Sequence, residues 1–393
     1  MKKKILLIVT ILLITLMGWL SPRVFSNVEN KGIFSQDFVD GTVVKVEKEN
    51  LMYDPIVKGK FRGSQVLKVR LLEGEHKDEE FRVYNSLDAL HNTYATEGLK
   101  AIFTVRKEDG KTVVWLYNLK RENKIYLLGG IFVGLIIFLG KLKGAKSVLA
   151  LAFTGATIIY ILLPLLFTGA DPILSSIVVA SVVILVSFLL IGDFNRKTYS
   201  AIIGTIFGVL IAGILSFIFG KMMDLNGLNM PAGEQLLYIA KDYKLKVGGL
   251  LFVSILISSL GAVMDVAMSI SSAVNEIYEQ NLKISRKNLF RSAMKIGKDI
   301  VGTMINTLIL AFAGGSLPLM MMIWGYGMVY KQFINIPVIA IEIINALAGS
   351  IGIIAAVPIT AIISIILIKT RTGTRGDNSL FIFPNNQIGR AHV

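Results

Sequence analysis

The chain carries one short apolar run near its start and seven longer ones after residue 124, with Lys and Arg clustered at alternate junctions between them. A membrane span needs about 20 apolar residues at about 1.5 Å of rise to cross a hydrocarbon core of about 30 Å. The pattern therefore predicts a polytopic helical membrane bundle, mostly α, before any motif is considered. Composition agrees: of 393 residues, 53% are hydrophobic and 17% charged, where a soluble domain carries about a quarter charged residues. The net charge of +14 could suggest nucleic acid, yet the basic residues flank apolar runs rather than cover one polar face. They point instead to anionic lipid headgroups on the cytoplasmic side, with no nucleic-acid partner. The chain has no cysteine, so thiolate chemistry is excluded, and His76, His91 and His392 all fall outside the apolar runs. No metal site and no cofactor is expected from such a set.

The first run, 5–20, follows Lys2, Lys3 and Lys4. Its flank, Gly18 to Pro22, is a poor small-x-small cleavage site, so residues 1–27 are read as a retained signal anchor, with a cleaved signal peptide as the alternative. Residues 28–120 then become charged and strand-forming. Alternating segments at 38–46, 65–72, 80–84, 101–106 and 113–117 are separated by turn signals, and 86–93 has helical spacing. Five strands with a helix between the third and fourth predict a small extracytoplasmic all-β domain of OB-like order, inserted after the first helix. No aromatic platform is visible in it, and the expected partner is an envelope protein or peptidoglycan, if it does more than brace the bundle.

The membrane domain, 121–370, has predicted spans at 125–140, 147–167, 172–191, 200–219, 247–270, 300–324 and 336–368. Lys141, Lys143 and Lys146, then Arg196 and Lys197, then six basic residues from Lys283 to Lys298, then Lys369, Arg371 and Arg375 mark every second junction. Of the opposite junctions, 168–171 has no basic residue and 325–335 has only Lys331. About eight spans with both termini cytoplasmic follow from that asymmetry. The cytoplasmic loop 271–298 places Lys287, Arg291, Lys295 and Lys298 on one helical stripe, either as an amphipathic helix on anionic lipid or as plain topology signal. Gly130 with Gly134, Gly204 with Gly208, and Ala348 with Gly352 and Ala356 form small-residue faces that suit close helix packing. The last run is too long for one straight crossing, so a broken or strongly tilted helix, or a re-entrant first segment, is expected, with the break at Gly349 and Gly352; Gly314, Gly315 and Pro318 mark a second weak point.

Carboxylates at membrane depth cost a few kcal/mol, roughly 2.5 to 3.5 on insertion scales, so each needs a partner or a role. Asp265, with Ser269 one turn on, and Asn306 with Thr307 offer hard oxygen donors for sodium or a proton. Glu342, with Asn345 at i+3, lies on the last run beside the expected break. Asp171, Asp193 and Asp224 fall in loops and read as solvated caps. No Walker loop, HExxH or GxSxG is present, so no catalytic residue is assigned and no enzyme is expected. The tail, 371–393, ends in six residues (388–393) that match the translation of a common sequencing adapter.

With the spans placed, the chain resembles the YibE/F-like family of bacterial multi-pass membrane proteins. The residues that carry the resemblance are 260–270 (LGAVMDVAMSI), 302–318 (GTMINTLILAFAGGSLP), Glu342 and Ile343, Gly349 to Gly352, Pro358, and Asn195 to Lys197 leading into Gly204 and Gly208. Leu72 to Gly74 and Val83 to Asn85 extend it to the strand domain. Members of that family often carry Arg where this chain has Asn345, so an ion pair with Glu342 is absent here. The resemblance implies fold and location and no established activity. Two functions stay open: an ion-coupled secondary transporter or permease, and a non-transporting scaffold whose outer domain binds an envelope partner.

Overall fold

The structure, a computed structural model, describes residues 2–25, 36–88, 92–108, 110–192 and 194–369. The described residues are mostly helical with one small antiparallel sheet near the N-terminus, and they divide into two compact units with boundaries at 29/30 and 139/140. His91, Asp193, His392 and the tail lie outside the described residues.

In the sheet unit, β1 (Asp37–Tyr53), β2 (Phe61–Leu71), β3 (Glu80–Leu87), β4 (Lys100–Glu108) and β5 (Lys111–Leu119) pair in the order β3-β2-β1-β4-β5. These are the five expected strands, each longer than its apolar alternation suggests. Alternate residues turn inward, so Val43, Leu67, Val69, Val83 and Phe103 are almost wholly buried. Two register shifts, between Val43 and Lys45 and between Val46 and Lys48, bend β1, as bulges do. Gly41, just before the first shift, makes room for a core ring, because a Cβ there would lie 2.5 Å from the Phe103 ring.

The helix expected over 86–93 is not found at its described ends. Ser86 and Leu87 finish β3, and residues 92–94 are irregular, while 89–91 lie outside the described residues. The buried side chain of Gln65 accounts for this. Its Nε2 donates to Ala95 O (2.9 Å), its Oε1 accepts from Ala95 N (2.9 Å) and from Asn85 Nδ2 (3.0 Å), and Asn85 Nδ2 also reaches Thr93 O (2.9 Å). These bonds fix Thr93 and Ala95 against β2 and β3 in a non-helical course.

The β1–β2 turn is closed by Asp54. One carboxylate oxygen accepts from Ile56 N and Val57 N (2.8 Å each), and the other accepts from Arg62 Nε at 2.5 Å. The Arg62 bond first, then the two backbone N–H groups, hold the Asp54 carboxyl down at about 2. A depressed carboxyl contributes its bonds fully above the ordinary value of about 4 and loses them as pH falls through the folded one. Amide-exchange protection at Ile56 and Val57 should therefore persist at about pH 4 and collapse toward about pH 2, and Asp54→Asn should remove that pH dependence.

Seven helical stretches among the described residues are long and apolar enough to cross a membrane. The helices are α1 (Lys2–Val24), α2 (Glu122–Thr157), α3 (Leu163–Phe167), α4 (Pro172–Gly192), α5 (Arg196–Met222), α6 (Gly233–Asp242), α7 (Leu250–Gln280), α8 (Arg286–Gly315), α9 (Leu317–Gly325), α10 (Tyr330–Phe333) and α11 (Pro337–Lys369). The count is one below the eight expected runs because 125–140 and 147–167 form a single 46-residue stretch, Glu122–Phe167. That stretch is bent at Lys141, whose φ of 48° and ψ of −127° lie outside helical space. A π-helical turn, Ile158–Leu162, joins α2 to α3.

The core of the helical unit is built on α4, α5, α7 and α11. Where α5 meets α11, a Cβ on Gly208 would lie 2.9 Å from Ala356 Cβ and 3.0 Å from Gly352 O, and one on Gly352 would lie 2.8 Å from Gly208 O. A Cβ on Gly204 would lie 1.9 Å from Thr360 Oγ1. The small-residue faces of these two helices thus pack on each other. Gly130 and Gly134 do not behave this way: among the described residues nothing lies within 4 Å of a Cβ at either.

Three expectations are corrected here. First, α11 runs through Gly349 and Gly352 without a break. Both glycines are there for close approach, Gly349 against Leu308 and Ser259, Gly352 against α5. Second, the helix expected from the basic stripe in 271–298 does not stand alone, being the start of the long helix α8, with the end of α7 before it. Third, the apolar side of its basic stripe is not free to lie on lipid, since Leu289 and Ala293 are fully buried in the core. The chain does break between α8 and α9, at Ser316 (φ −91°, ψ 7°), between Gly315 and Pro318. Gly208→Leu should destabilise the detergent-purified protein by about 1–3 kcal/mol, read as a lower thermal midpoint, while Gly134→Leu should leave it unchanged.

Candidate functional site

The polar residues expected at membrane depth do not converge on one point. On α7, Val263, Val266, Ala267 and Ile270 are buried, which leaves Asp265 and Ser269 on the opposite, uncovered side. On α8, Leu308 turns inward against Gly349, and Asn306 and Thr307 are exposed. Gly297 of α8 packs at Ile270 of α7, and Leu308 and Ser259 meet at Gly349, so the two helices run antiparallel with Asp265 near the level of Gly302. Asn306 is then about 6 Å further along the axis. Among the described residues neither Asp265 nor Asn306 has a hydrogen bond or ion pair to the other, and Thr307 Oγ1 donates to its own helix at Thr303 O (2.9 Å).

Glu342 is placed differently. It lines a cavity of about 200 Å³ with Phe312, Ala313 and Ser316 of the α8–α9 break, Met320 of α9, and Ala346 on its own helix. Ser316 is the N-cap residue of α9 and makes no side-chain capping bond there. The first N–H groups of a helix lack intrahelical acceptors and carry partial positive charge, so this end of α9 suits a neighbouring carboxylate. Asn345, one turn along, is not among the residues lining this cavity. It is buried, at 8% exposure, and its Oδ1 has no hydrogen-bond partner among the described residues.

Two features were missed by sequence reasoning. Ser200 of α5, Ser271 of α7 and Ser364 of α11 meet in a buried hydroxyl cluster. Ser200 Oγ and Ser271 Oγ are 2.6 Å apart, Ser364 Oγ donates to Ser200 Oγ at 2.9 Å, and Ser271 Oγ donates to Lys197 O at 2.7 Å. Beside it, Arg196 Nη1 donates to Leu367 O (2.6 Å) and Ile368 O (3.1 Å), satisfying carbonyls at the end of α11. Asn195 caps α5 through Thr198 N (2.8 Å), while Asn195 Nδ2 and Thr198 Oγ1 each reach Gly192 O at the end of α4 (2.8 Å). One short segment therefore ties three helix ends. The only sequence signal was a serine on each of three apolar helices, which by itself names no partner. In the sheet unit, Tyr53, Phe61 and Tyr94 stack with ring centroids 5.1 and 5.0 Å apart, an aromatic group not evident from their spacing.

This is a helical protein with several spans long and apolar enough for a membrane, one tight three-helix seam and a carboxylate at a helix break. A family described as YibE/F-like protein matches residues 128–370. The chain belongs to that YibE/F-like family, and the match covers the helices from α2 onward and leaves the sheet outside it. No curated protein and no solved structure matches the chain.

Arg196→Ala should free the last turn of α11. Hydrogen exchange in residues 362–368 should rise, with a loss of about 1.5–3 kcal/mol for a charge-assisted bond, and Arg196→Lys should restore it only in part.

Proposed function

We propose that the chain is a multi-pass protein of a bacterial plasma membrane that moves a proton or small cation, with Glu342 at the α8–α9 break as the coupling group. The bend at Lys141 lets the two halves of Glu122–Phe167 cross separately, which makes eight crossings with both termini cytoplasmic. The shared end of α5, α7 and α11 supports this orientation. Contact of Ser200 with Ser271 and Ser364 brings Lys197 and the basic start of α8 to the same end of the bundle, as cytoplasmic retention of Lys and Arg requires. The sheet unit is then extracytoplasmic and OB-like in strand order. That location disfavours nucleic acid as its partner.

The observation that carries the reading is the cavity shared by Glu342 and Ser316. Interrupted helices with a polar side chain at the gap recur at transporter sites, because backbone groups freed by the break help to hold the charge. Asp265 stands apart on the uncovered side of α7 as a second acid, with Ser269, Asn306 and Thr307 as nearby donors. The competing reading is a scaffold without transport.

The test is thermal stability of the purified protein across pH, sodium and lithium. A ligand at 100 times its Kd stabilises by about 2.7 kcal/mol if it binds only the folded state. Glu342→Gln should abolish an ion- or proton-dependent shift that Asp265→Asn retains. Loss in Asp265→Asn alone would move the site to the α7–α8 face. A wild-type protein that responds to no condition would favour the scaffold.

A further inference from the structure

The β1–β2 turn presents its apolar residues outward. Ile56 is 80% exposed, Tyr53 76%, Met52 68% and Val57 50%. A loop that could fold back would bury such side chains, but here the Asp54 bonds to Ile56 N, Val57 N and Arg62 hold it open. The Asp54 side chain is itself only 4% exposed. Lys58 and Lys60 flank the tip.

Strand directions show where this tip points. β1 is antiparallel to β4, and β4 to β5, so β1 and β5 run the same way. β5 ends at Leu119 and hands the chain to α2, an apolar helix starting at Glu122. Asp40 pairs with Ile102, which pairs with Asn118, so β1 continues well past the end of β5 toward the side where α2 begins. The bulged strand then brings the turn back beside that junction. Asp54, Ile56, Val57 and Lys60 line a cavity of about 560 Å³ together with Tyr117, Asn118 and Arg121, the residue before α2. Tyr117 and Tyr126, 57% and 70% exposed, flank the same junction, and tyrosine is favoured at the bilayer–water boundary.

We propose that the β1–β2 turn is a lipid-docking tip: Ile56, Val57, Met52 and Tyr53 enter the interfacial layer of the leaflet that α2 crosses, and Lys58, Lys60 and Arg121 meet anionic headgroups. The pairing of an apolar end with a basic rim is the chemistry of interfacial binding, where apolar area and headgroup attraction add. This rests on α2 crossing the bilayer as proposed above. It assigns the outer domain a fixed posture on the membrane, independent of whether the helices transport anything.

The absence of cysteine makes single-site labelling clean. Ile56→Cys, Val57→Cys, Tyr126→Cys and Lys111→Cys would each carry an environment-sensitive fluorophore in the full chain, reconstituted in nanodiscs of phosphatidylethanolamine and phosphatidylglycerol. Lys111 sits at the start of β5, about 27 Å along the strand from Leu119, and serves as the remote control. Lipids brominated near the headgroup should quench labels at 56, 57 and 126 and spare 111, and Lys58→Glu with Lys60→Glu should weaken quenching at 56 and 57 only. Quenching at 126 with water-like, unquenched emission at 56 and 57 would overturn the proposal and leave the α2 crossing intact. Blue-shifted but unquenched emission at 56 and 57 would also overturn it, in favour of a protein contact. No quenching at 126 would remove the α2 crossing, and the docking tip with it.

Discussion

The approach of α5 to α11 through Gly204, Gly208, Gly352 and Ala356 is the constraint on which the helical unit depends. Lipid offers no hydrophobic drive for one apolar helix to join another, so association rests on close packing and on polar contacts between helices. Backbone-to-backbone proximity of Gly208 and Gly352 is available only where neither residue has a Cβ. Once that contact is made, Thr360 lies against Gly204, Val263 of α7 fills the side of Gly208, and the Ser200, Ser271 and Ser364 hydroxyls come within bonding range. The hydroxyl cluster and the Arg196 bond to the end of α11 then fix register as well as distance, because a slide of one residue would misplace all of them.

A seam this tight leaves little room for a solute. Thr205, Thr360, Ser216 and Asn345 each keep a buried polar atom without a hydrogen-bond partner among the described residues. Thr360 Oγ1 occupies the space a Cβ on Gly204 would need, close enough for a weak Cα–H contact. The acids lie elsewhere. Glu342 borders α8 and α9, and Asp265 faces away from α5 and α11. α8 is also the least covered of the long helices outside the N-terminal one. The helical unit thus separates a closely packed core from a less covered side that holds the acids.

Much of this was legible in the sequence, for reasons that differ by element. Apolar runs were readable because lipid dictates composition over a whole span, and the five strands because burial on one face imposes alternation. The small faces of α5 and α11 were readable as faces, though nothing in the spacing said that they meet. The identical signal at Gly130 and Gly134 meets no neighbour in the described residues. Glycine also misled at 349 and 352. A glycine pair marks a helix break or a close approach equally well, and only the facing residues, Leu308 and Gly208, decide which. At 314–318 the same ambiguity resolved the other way, because Pro318 removes an N–H and the chain has no packed helix holding it straight. The irregular course near residue 92 was hidden because a buried amide, Gln65, sits 30 residues from the backbone that it holds.

The position of Glu342 shows how these constraints select a site. An ionisable group has no room in the α5–α11 seam, where Gly204, Gly208 and Gly352 lie too close to the facing helix to admit even a Cβ. It has room one face over, where a cavity of about 200 Å³ lies between Glu342 and the α8–α9 break. Asn345 marks the boundary between the two environments. It sits one turn from Glu342, is buried with its carbonyl oxygen unpartnered, and contributes no charge with which Glu342 could pair. With no charge contributed by Asn345, the feature across the shared cavity that complements a carboxylate is the N-terminal end of α9, which carries partial positive charge.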